Sequence, residues 1–519
     1  MVARPAGGLS AKRFAGLFVS LAVLCGVWSV ASPPGAVPDE YMHYKYAYAL
    51  WSGQVTRTST DYVVPATLAL PRQTCYAQRP DVTAECSIEE VVASGSQGPE
   101  RVATTANLYP PLFYALTGWT VRLSPDDAGI IGGRLVGALF CCLLTVLAVD
   151  RLYRFAGATT MVAFLLCLTP MTVYFFAAFN PQGIELSLAL LLIAATAQLS
   201  IQGKTPGRSG WNLFFIAAIG LSIGRPFGFA WVPLIVALIA SPMWMLGHRI
   251  RRSEVVMGLG ASMVLGLMWM FTFSVPDPSR TNPGTTLSAL LSNSYGRLMQ
   301  FPLEWVGNFG HLDTPLPLPV PALWFAAVGA VIALGLASKR IPLVLSALLT
   351  VPIGLALALS MEYRTESGWG WVVIQGRYLL PFLFVFVLLL GFAADSVSLP
   401  VMARFVAVLV LMWSVIQLWS MLELLRRNMF GQSANPLTTD STWQPAINAW
   451  TIIAWTVISV SLFAAAYRCT ALDRRGRGLV GERFDGDSDG GGVWPLEVVA
   501  AEEPENVLKP AGALPSDKG

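Results

Sequence analysis

Apolar residues run through this chain in long unbroken blocks, with polar residues gathered between them. The blocks fall at about 14–32, 128–149, 158–178, 184–201, 211–224, 226–243, 255–275, 320–338, 341–361, 378–395, 401–422 and 448–467. Most approach the roughly 20 residues that a helix needs to cross about 30 Å of hydrocarbon. A backbone in lipid must satisfy its own hydrogen bonds, so the blocks predict helices. The expected fold is an all-α transmembrane bundle of about 12 helices with a large first loop, the block at 211–224 being short for a span.

Lys and Arg set the expected orientation. Lys12 and Arg13 precede the first block and place the N-terminus in the cytoplasm. A further apolar run at 110–122, counted as a span, would move the next three basic clusters outside. Read as an interfacial helix, it leaves the later clusters inside: Arg151 and Arg154, Lys204 and Arg208, His248 to Arg252, Lys339 and Arg340, and Arg474 to Arg477. Arg426 and Arg427 break the pattern. The organisation expected is a cytoplasmic N-terminus over 1–13, a polytopic domain over 14–468 in the cell membrane, and a disordered cytoplasmic tail over 469–519. The tail is rich in Gly, Asp, Glu and Arg, a composition that cannot bury a core. The first block exceeds a signal-peptide core and reads as an uncleaved anchor. The loop 33–127 then faces outward, with interfacial helices near 39–51 and 110–122.

Composition agrees and narrows the function classes. Of 519 residues, 54% are hydrophobic and only 13% charged, against roughly 25% charged in soluble domains. A net charge of +3 is no nucleic-acid footprint. Neither a phosphate-binding Gly-rich loop nor a dinucleotide fingerprint occurs. Cys25, Cys141, Cys142, Cys167 and Cys469 lie in or at the edge of apolar blocks, as packing residues do. Cys75 and Cys86 stand in the polar first loop at a spacing that suits no common zinc site. In an oxidising compartment they are expected to form a disulfide.

Four outer segments carry candidate chemistry. The first begins Pro38-Asp39-Glu40-Tyr41-Met42-His43. Asp39 can cap a helix in which Tyr41, Tyr44, Tyr48 and Trp51 form an aromatic stripe suited to the interface. Asp39, Glu40 and His43 can share a surface. One carboxylate can take a proton from an acceptor hydroxyl, or the three can help hold a divalent cation, though three ligands are few. Equally, they are a capped helix with acids in its first turn. The loop closes with Tyr109-Pro110-Pro111-Leu112, which starts a short helix.

The second segment is Asn180-Pro181-Gln182-Gly183-Ile184-Glu185. A carboxylate at membrane depth signals function, or a helix N-terminal acid near the interface. The third, over 276–319, contains Phe309-Gly310-His311-Leu312-Asp313-Thr314, the wall of a cavity or an ordered loop. The fourth is Gln375-Gly376-Arg377-Tyr378. Arg377 can grip a phosphate or reach lipid headgroups, and Arg225 lies at another outer corner.

Taken in order, Pro38-Asp39-Glu40 with His43, Tyr109-Pro110-Pro111-Leu112, Asn180-Pro181 with Gly183, Phe309-Gly310-His311-Leu312-Asp313-Thr314 and Gln375-Gly376-Arg377-Tyr378 resemble a family of bacterial membrane proteins. That family is catalogued as a domain of unknown function and related to GT-C glycosyltransferases. The likeness runs from about 15 to 425. It implies a GT-C-like bundle whose large first loop carries juxtamembrane helices and an early catalytic acid. It also implies a sugar donor on a polyprenyl phosphate. By this likeness Asp39 is the base and Glu40 assists. Arg377 and Arg225 bind the lipid phosphate, and His43, Tyr109, Glu185, His311, Asp313, Gln375 and Tyr378 line the substrate site. The chain departs from the family at Gln182, where an acid is common; Glu185 follows one turn later.

The expected function is transfer of a sugar from a polyprenyl-phosphate donor to a cell-envelope glycan or lipid acceptor, outside the cytoplasm. A transporter or flippase of lipid-linked glycans would instead place ionisable groups near mid-membrane. A non-catalytic envelope-assembly subunit would be indifferent to Asp39→Asn. Asp39, Arg225 and Arg377 are expected to line one outer cavity if the first reading holds.

Overall fold

The computed structural model describes residues 7–55, 61–70, 75–87, 98–202, 208–226, 228–248, 252–273, 286, 288, 292, 295, 297–369, 375–397, 400–436, 440–441 and 443–473. Residues 474–519 of the expected tail lie outside the described residues, as does the last basic cluster. The helices are α1 (Ala11–Ala31), α2 (Glu40–Trp51), α3 (Ala66–Ala69), α4 (Leu112–Thr117), α5 (Trp119–Leu123) and α6 (Asp127–Tyr153). There follow α7 (Ala158–Cys167), α8 (Pro170–Phe176), α9 (Gln182–Gln202), α10 (Arg208–Ser222), α11 (Gly228–Met245) and α12 (Arg252–Phe273). The last six are α13 (Phe301–Val306), α14 (Pro319–Leu336), α15 (Ile341–Trp369), α16 (Leu380–Ala394), α17 (Met402–Phe430) and α18 (Ala449–Leu472). Two small antiparallel pairs are present: β1 (Asp61–Pro65) with β2 (Pro99–Ala103), and the hairpin β3 (Asn308–Phe309) with β4 (Thr314–Pro315).

Among the described residues, ten helices are long and apolar enough to cross a bilayer. The pair α7–α8 passes the same test only when taken together, and it is bent by 63° at its break. At 15 residues, α10 is roughly 22 Å long and falls short of the hydrocarbon thickness. The dozen expected blocks are thus ten helices long and apolar enough to cross, one bent pair and one short helix. The chain is a multi-pass membrane protein. Large apolar side chains such as Phe271, Leu411 and Leu462 remain exposed on α12, α17 and α18, where lipid is their natural solvent.

Two helices form the core. The apolar stretch of α9 is 94% buried and that of α16, with its preceding turn, 89%. α9 packs against α6, α10 and α11, and α16 against α7, α14 and α15. The break between α7 and α8 explains several buried polar groups. Thr169 caps α8 and Pro170 cannot continue α7, which orphans carbonyls in an apolar interior. Trp324 of α14 donates to Leu166 O, and Trp413 and Gln417 of α17 both donate to Leu168 O. Non-helical backbone at this depth is tolerated because side chains complete its hydrogen bonds.

The run 110–122 is not a span. It forms α4 and α5, of six and five residues, hinged at Gly118. A Cβ there would lie 2.6 Å from Trp51 Cδ1 and 2.9 Å from Ala47 O, so glycine permits α2 to lie directly on the hinge. Of the expected aromatic stripe, Tyr41 and Tyr48 are half-buried and Trp51 exposed. Tyr44 is fully buried and belongs to the core instead. Cys469 is exposed, whereas the other four unpaired cysteines are buried.

Cys75 and Cys86 form a disulfide. The residues around it dock on the end of α17: Arg427 donates to the carbonyls of Tyr76 and Val82, and Ala84 N donates to Asn428 O. This accounts for the two arginines that break the charge pattern. Arg427 is a buried tether and Arg426 pairs with Glu423.

Candidate active site

Everything of chemical interest gathers at the end of the bundle that carries α2 to α5. Asp39 and Glu40 are adjacent in sequence, yet their surroundings differ completely.

Glu40 is fully buried and meets Arg134 of α6 in a two-pronged ion pair, Nε to Oε1 at 2.7 Å and Nη2 to Oε2 at 2.5 Å. Its oxygens also accept Phe179 N and Gly35 N, at 2.9 and 2.8 Å. The same guanidinium donates to the carbonyls of Ser29, Ser32 and Pro33, which caps the C-terminal end of α1. Glu40 has four donors on two oxygens and none to spare for substrate. Its expected part as a catalytic assistant is therefore corrected: Glu40 fixes the joint between α1, α6 and the start of α2.

Asp39 adopts a left-handed backbone, φ 63° and ψ 0°, and makes no cap to α2. Such a conformation is uncommon outside glycine, and Asp is among the few residues that tolerate it. The joint around it holds it there. Asn180 donates to Pro38 O, His311 Nε2 donates to Gly35 O at 3.0 Å, and Met42 N and His43 N donate to Asp39 O. The Asp39 side chain, 45% exposed, accepts Arg377 Nη2 at 2.9 Å, while Arg377 itself is only 1% exposed. Burial alone would raise the Asp39 carboxyl; the Arg377 charge, with His43 and His311, outweighs it and holds the group below its ordinary value.

Arg377 is placed by the turn before α16. Gly376 lies so close to α13 that a Cβ would be 2.5 Å from Phe301 O. Glu304 accepts Gly376 N, Trp305 donates to Gly376 O, and Gln182 donates to Arg377 O. Gln182, the departure from the family pattern, thus braces this turn. The guanidinium lies over Phe175 and Tyr378, 5.1 and 5.0 Å from the ring centroids. Its Nε and Nη1 are buried and find no acceptor among the described residues.

Arg225 reaches the same aromatic ring, 4.8 Å from the Tyr378 centroid, and approaches Tyr109 at 6.0 Å. Its counter-ion is Glu185 at 2.5 Å, which also accepts Trp231 Nε1. Burial would lower the Arg225 pKa, but Glu185 outweighs it and keeps the cation. Glu185 is buried and acts by positioning Arg225. His43 Nδ1 lies 2.8 Å from the Tyr114 hydroxyl and its ring packs edge-on to Tyr109 at 5.0 Å. Burial pushes His43 down to about 3, so it is neutral near pH 7.

Asp39, Arg377, Tyr378, Arg225, Tyr109 and His43 therefore form one cluster. Two other candidates stand apart from it. Asp313 pairs with Arg427 at 2.9 Å and accepts Gln78 N, which ties the disulfide segment to the β3–β4 hairpin. Gln375 contributes its carbonyl to Tyr378 N. The expected metal set does not converge: Glu40 faces Arg134 and His43 faces Tyr114, and no group of three such side chains among the described residues could hold an ion.

Arg134 escaped the sequence reading, although an arginine inside an apolar block is itself a signal. Phe175 carried none. What the cluster offers is one solvent-reaching carboxylate beside two cations that share an aromatic ring, one cation having unused N–H groups. Such a set can take a proton and hold an anion.

No curated protein is significantly similar to the chain. Two solved structures of ArnT from Cupriavidus metallidurans, one bound to undecaprenyl phosphate and one apo, are 14% identical to it with TM-scores of 0.39. The first alignment covers 90% of this chain and 79% of that one, the second 89% and 78%. Likeness at that level does not establish a shared fold. The model of the family described as predicted membrane protein (DUF2142) matches residues 22–387, a stretch that includes every member of the cluster, and the chain belongs to this family.

Proposed function

We propose that the chain is a GT-C-like membrane glycosyltransferase that moves a sugar from a polyprenyl-phosphate donor to a cell-envelope glycan or lipid. The observation that carries this is Arg377: a buried cation whose Nε and Nη1 find no acceptor among the described residues, beside an accessible carboxylate. Buried polar groups without partners are rare in native proteins and call for a ligand or ion to complete them. A lipid phosphate supplies both charge and acceptors, and Arg225 adds a second cation over the same ring.

Asp39 is the base. It takes the acceptor hydroxyl proton as that oxygen bonds to the anomeric carbon. The bond from that carbon to the phosphate oxygen breaks, and its electron pair leaves on the polyprenyl phosphate, whose charge Arg377 and Arg225 offset. One base and one displacement give inversion. The ionised groups lie toward the ends of the bundle rather than mid-span, which favours chemistry over transport. The basic residues outside this end support an extracytoplasmic side for it, with the N-terminus inside.

The test is transfer from a radiolabelled polyprenyl-phosphate sugar by the purified full chain. Asp39→Asn is expected to lose about 10²- to 10⁴-fold in rate, the usual worth of a general base. A well-folded Asp39→Asn protein that transfers as fast as the unaltered chain overturns the assignment.

A further inference from the structure

The Asp39–Arg377 pair is lopsided. Arg377 is enclosed, lies over the rings of Phe175 and Tyr378, and keeps Nε and Nη1 without acceptors among the described residues. Its Nη2 holds Asp39 at 2.9 Å and reaches the Tyr378 hydroxyl at 3.3 Å. Asp39 is 45% exposed. Asp39 can turn to water; Arg377 cannot. The cation is under-satisfied, and among the described residues its one carboxylate partner, Asp39, is the looser of the two.

We infer that this ion pair is a charge switch: an anionic lipid head that engages Arg377 releases the Asp39 carboxylate, so the base is armed only after the donor has bound. The inference rests on reading the cluster as a lipid-phosphate site. It adds an order of events, donor before acceptor, that the activity alone does not require.

The surroundings of Asp39 make Arg377 the controlling charge. His43 on α2 is neutral, and burial likewise lowers His311 of the β3–β4 hairpin. Tyr41 and Tyr109 are raised, by burial first, and so are uncharged. Arg225 is committed to Glu185. An anion drawn to Arg377 thus removes the main influence holding Asp39 acidic, and Asp39 becomes a stronger base. Linkage makes the coupling reciprocal: discharging Asp39 must tighten anion binding by the same factor.

The test uses the full chain in lipid nanodiscs, farnesyl monophosphate as probe and farnesol as its uncharged control. Asn suits the left-handed position and keeps an oxygen for Arg377. Asp39→Asn is expected to bind farnesyl monophosphate about tenfold tighter than the unaltered chain, with farnesol unchanged. In the unaltered chain, saturating farnesyl monophosphate is expected to move the pH midpoint of carbodiimide labelling at Asp39 upward by about one unit, the same tenfold factor. In an Arg377→Gln background the gain from Asp39→Asn is expected to shrink to less than about twofold; simple repulsion between Asp39 and the anion would leave it intact. Equal or weaker binding by Asp39→Asn, or a labelling midpoint that stays put while the probe is bound, overturns the switch and leaves the lipid-phosphate reading standing. Farnesyl monophosphate binding no tighter than farnesol overturns both.

Discussion

Glu40→Gln is the sharpest test of how the two neighbouring carboxylates divide their work. Glutamine keeps the size of the side chain but exchanges one oxygen for an NH₂ group. Oε1 receives Arg134 Nε and Phe179 N; Oε2 receives Arg134 Nη2 and Gly35 N. Whichever way the amide is turned, its NH₂ meets two donors and repels them. Arg134, fully buried, also loses its counter-ion. Breaking one side of a buried pair costs about 3–5 kcal/mol. Arg134 keeps its three carbonyl acceptors on α1 and the following turn, which places the expected loss in the lower half of that range.

The assay is equilibrium unfolding of the purified chain in mixed micelles, with Asp39→Asn run alongside. Asp39 is 45% exposed, so solvent screens its pairing and its substitution is expected to cost about 1 kcal/mol or less. Glu40→Gln should thus lose stability while Asp39→Asn loses chiefly activity. A Glu40→Gln protein as stable as the unaltered chain would refute the argument that this knot is structural.

Further outcomes follow from the same geometry. The folded His43 pKa, at about 3, lies below the ordinary 6.5, so its contribution to stability is complete above pH 6.5 and is lost as pH falls toward 3, where only the unfolded chain gains the proton. Unfolding across that window should steepen by at most about 1.4 kcal/mol per pH unit for this group, and His43→Gln should flatten it. Gly376→Ala drives a Cβ against Phe301 O and shifts the Arg377 turn. Transfer is expected to fall about 10²-fold, the cost of a misplacement of about 1 Å, with farnesyl monophosphate binding weakened in parallel. At position 39, Gly should be about 1 kcal/mol more stable than Ala in unfolding, the reverse of their usual order, because only Gly is at ease in the left-handed region. Neither carries a carboxylate, so loss of the Arg377 contact cancels from the comparison.

The membrane fold was legible because lipid imposes length and apolarity on every crossing. What blurred the count was local: Thr169-Pro170 breaks a helix inside one apolar block, and α10 is simply short. The gathering of Asp39, Arg225 and Arg377 was legible as polar residues at the ends of successive blocks. Their division of labour was not. Asp39 and Glu40 read as a pair because nothing in sequence reveals that Arg134, 94 positions away from Glu40, claims one of them. Asp313 misled for the same reason, its partner Arg427 lying on α17, 114 positions further on.

The strain at Asp39 and the rigidity at Glu40 are two aspects of one construction. A left-handed non-glycine residue persists only where its surroundings over-determine it. Here Asn180 fixes Pro38, His311 fixes Gly35, and Glu40 locks the turn from its other side through Gly35 N and Phe179 N. The unusual backbone keeps Asp39 from capping α2 and leaves its carboxylate against Arg377. An extended Asp39 with a capping side chain would be the ordinary solution to starting this helix. It would spend the carboxylate on the N–H of Tyr41 or Met42, and Met42 N already donates to the Asp39 carbonyl. The fold thus starts the helix without a side-chain cap, and that is what leaves a carboxylate free for chemistry.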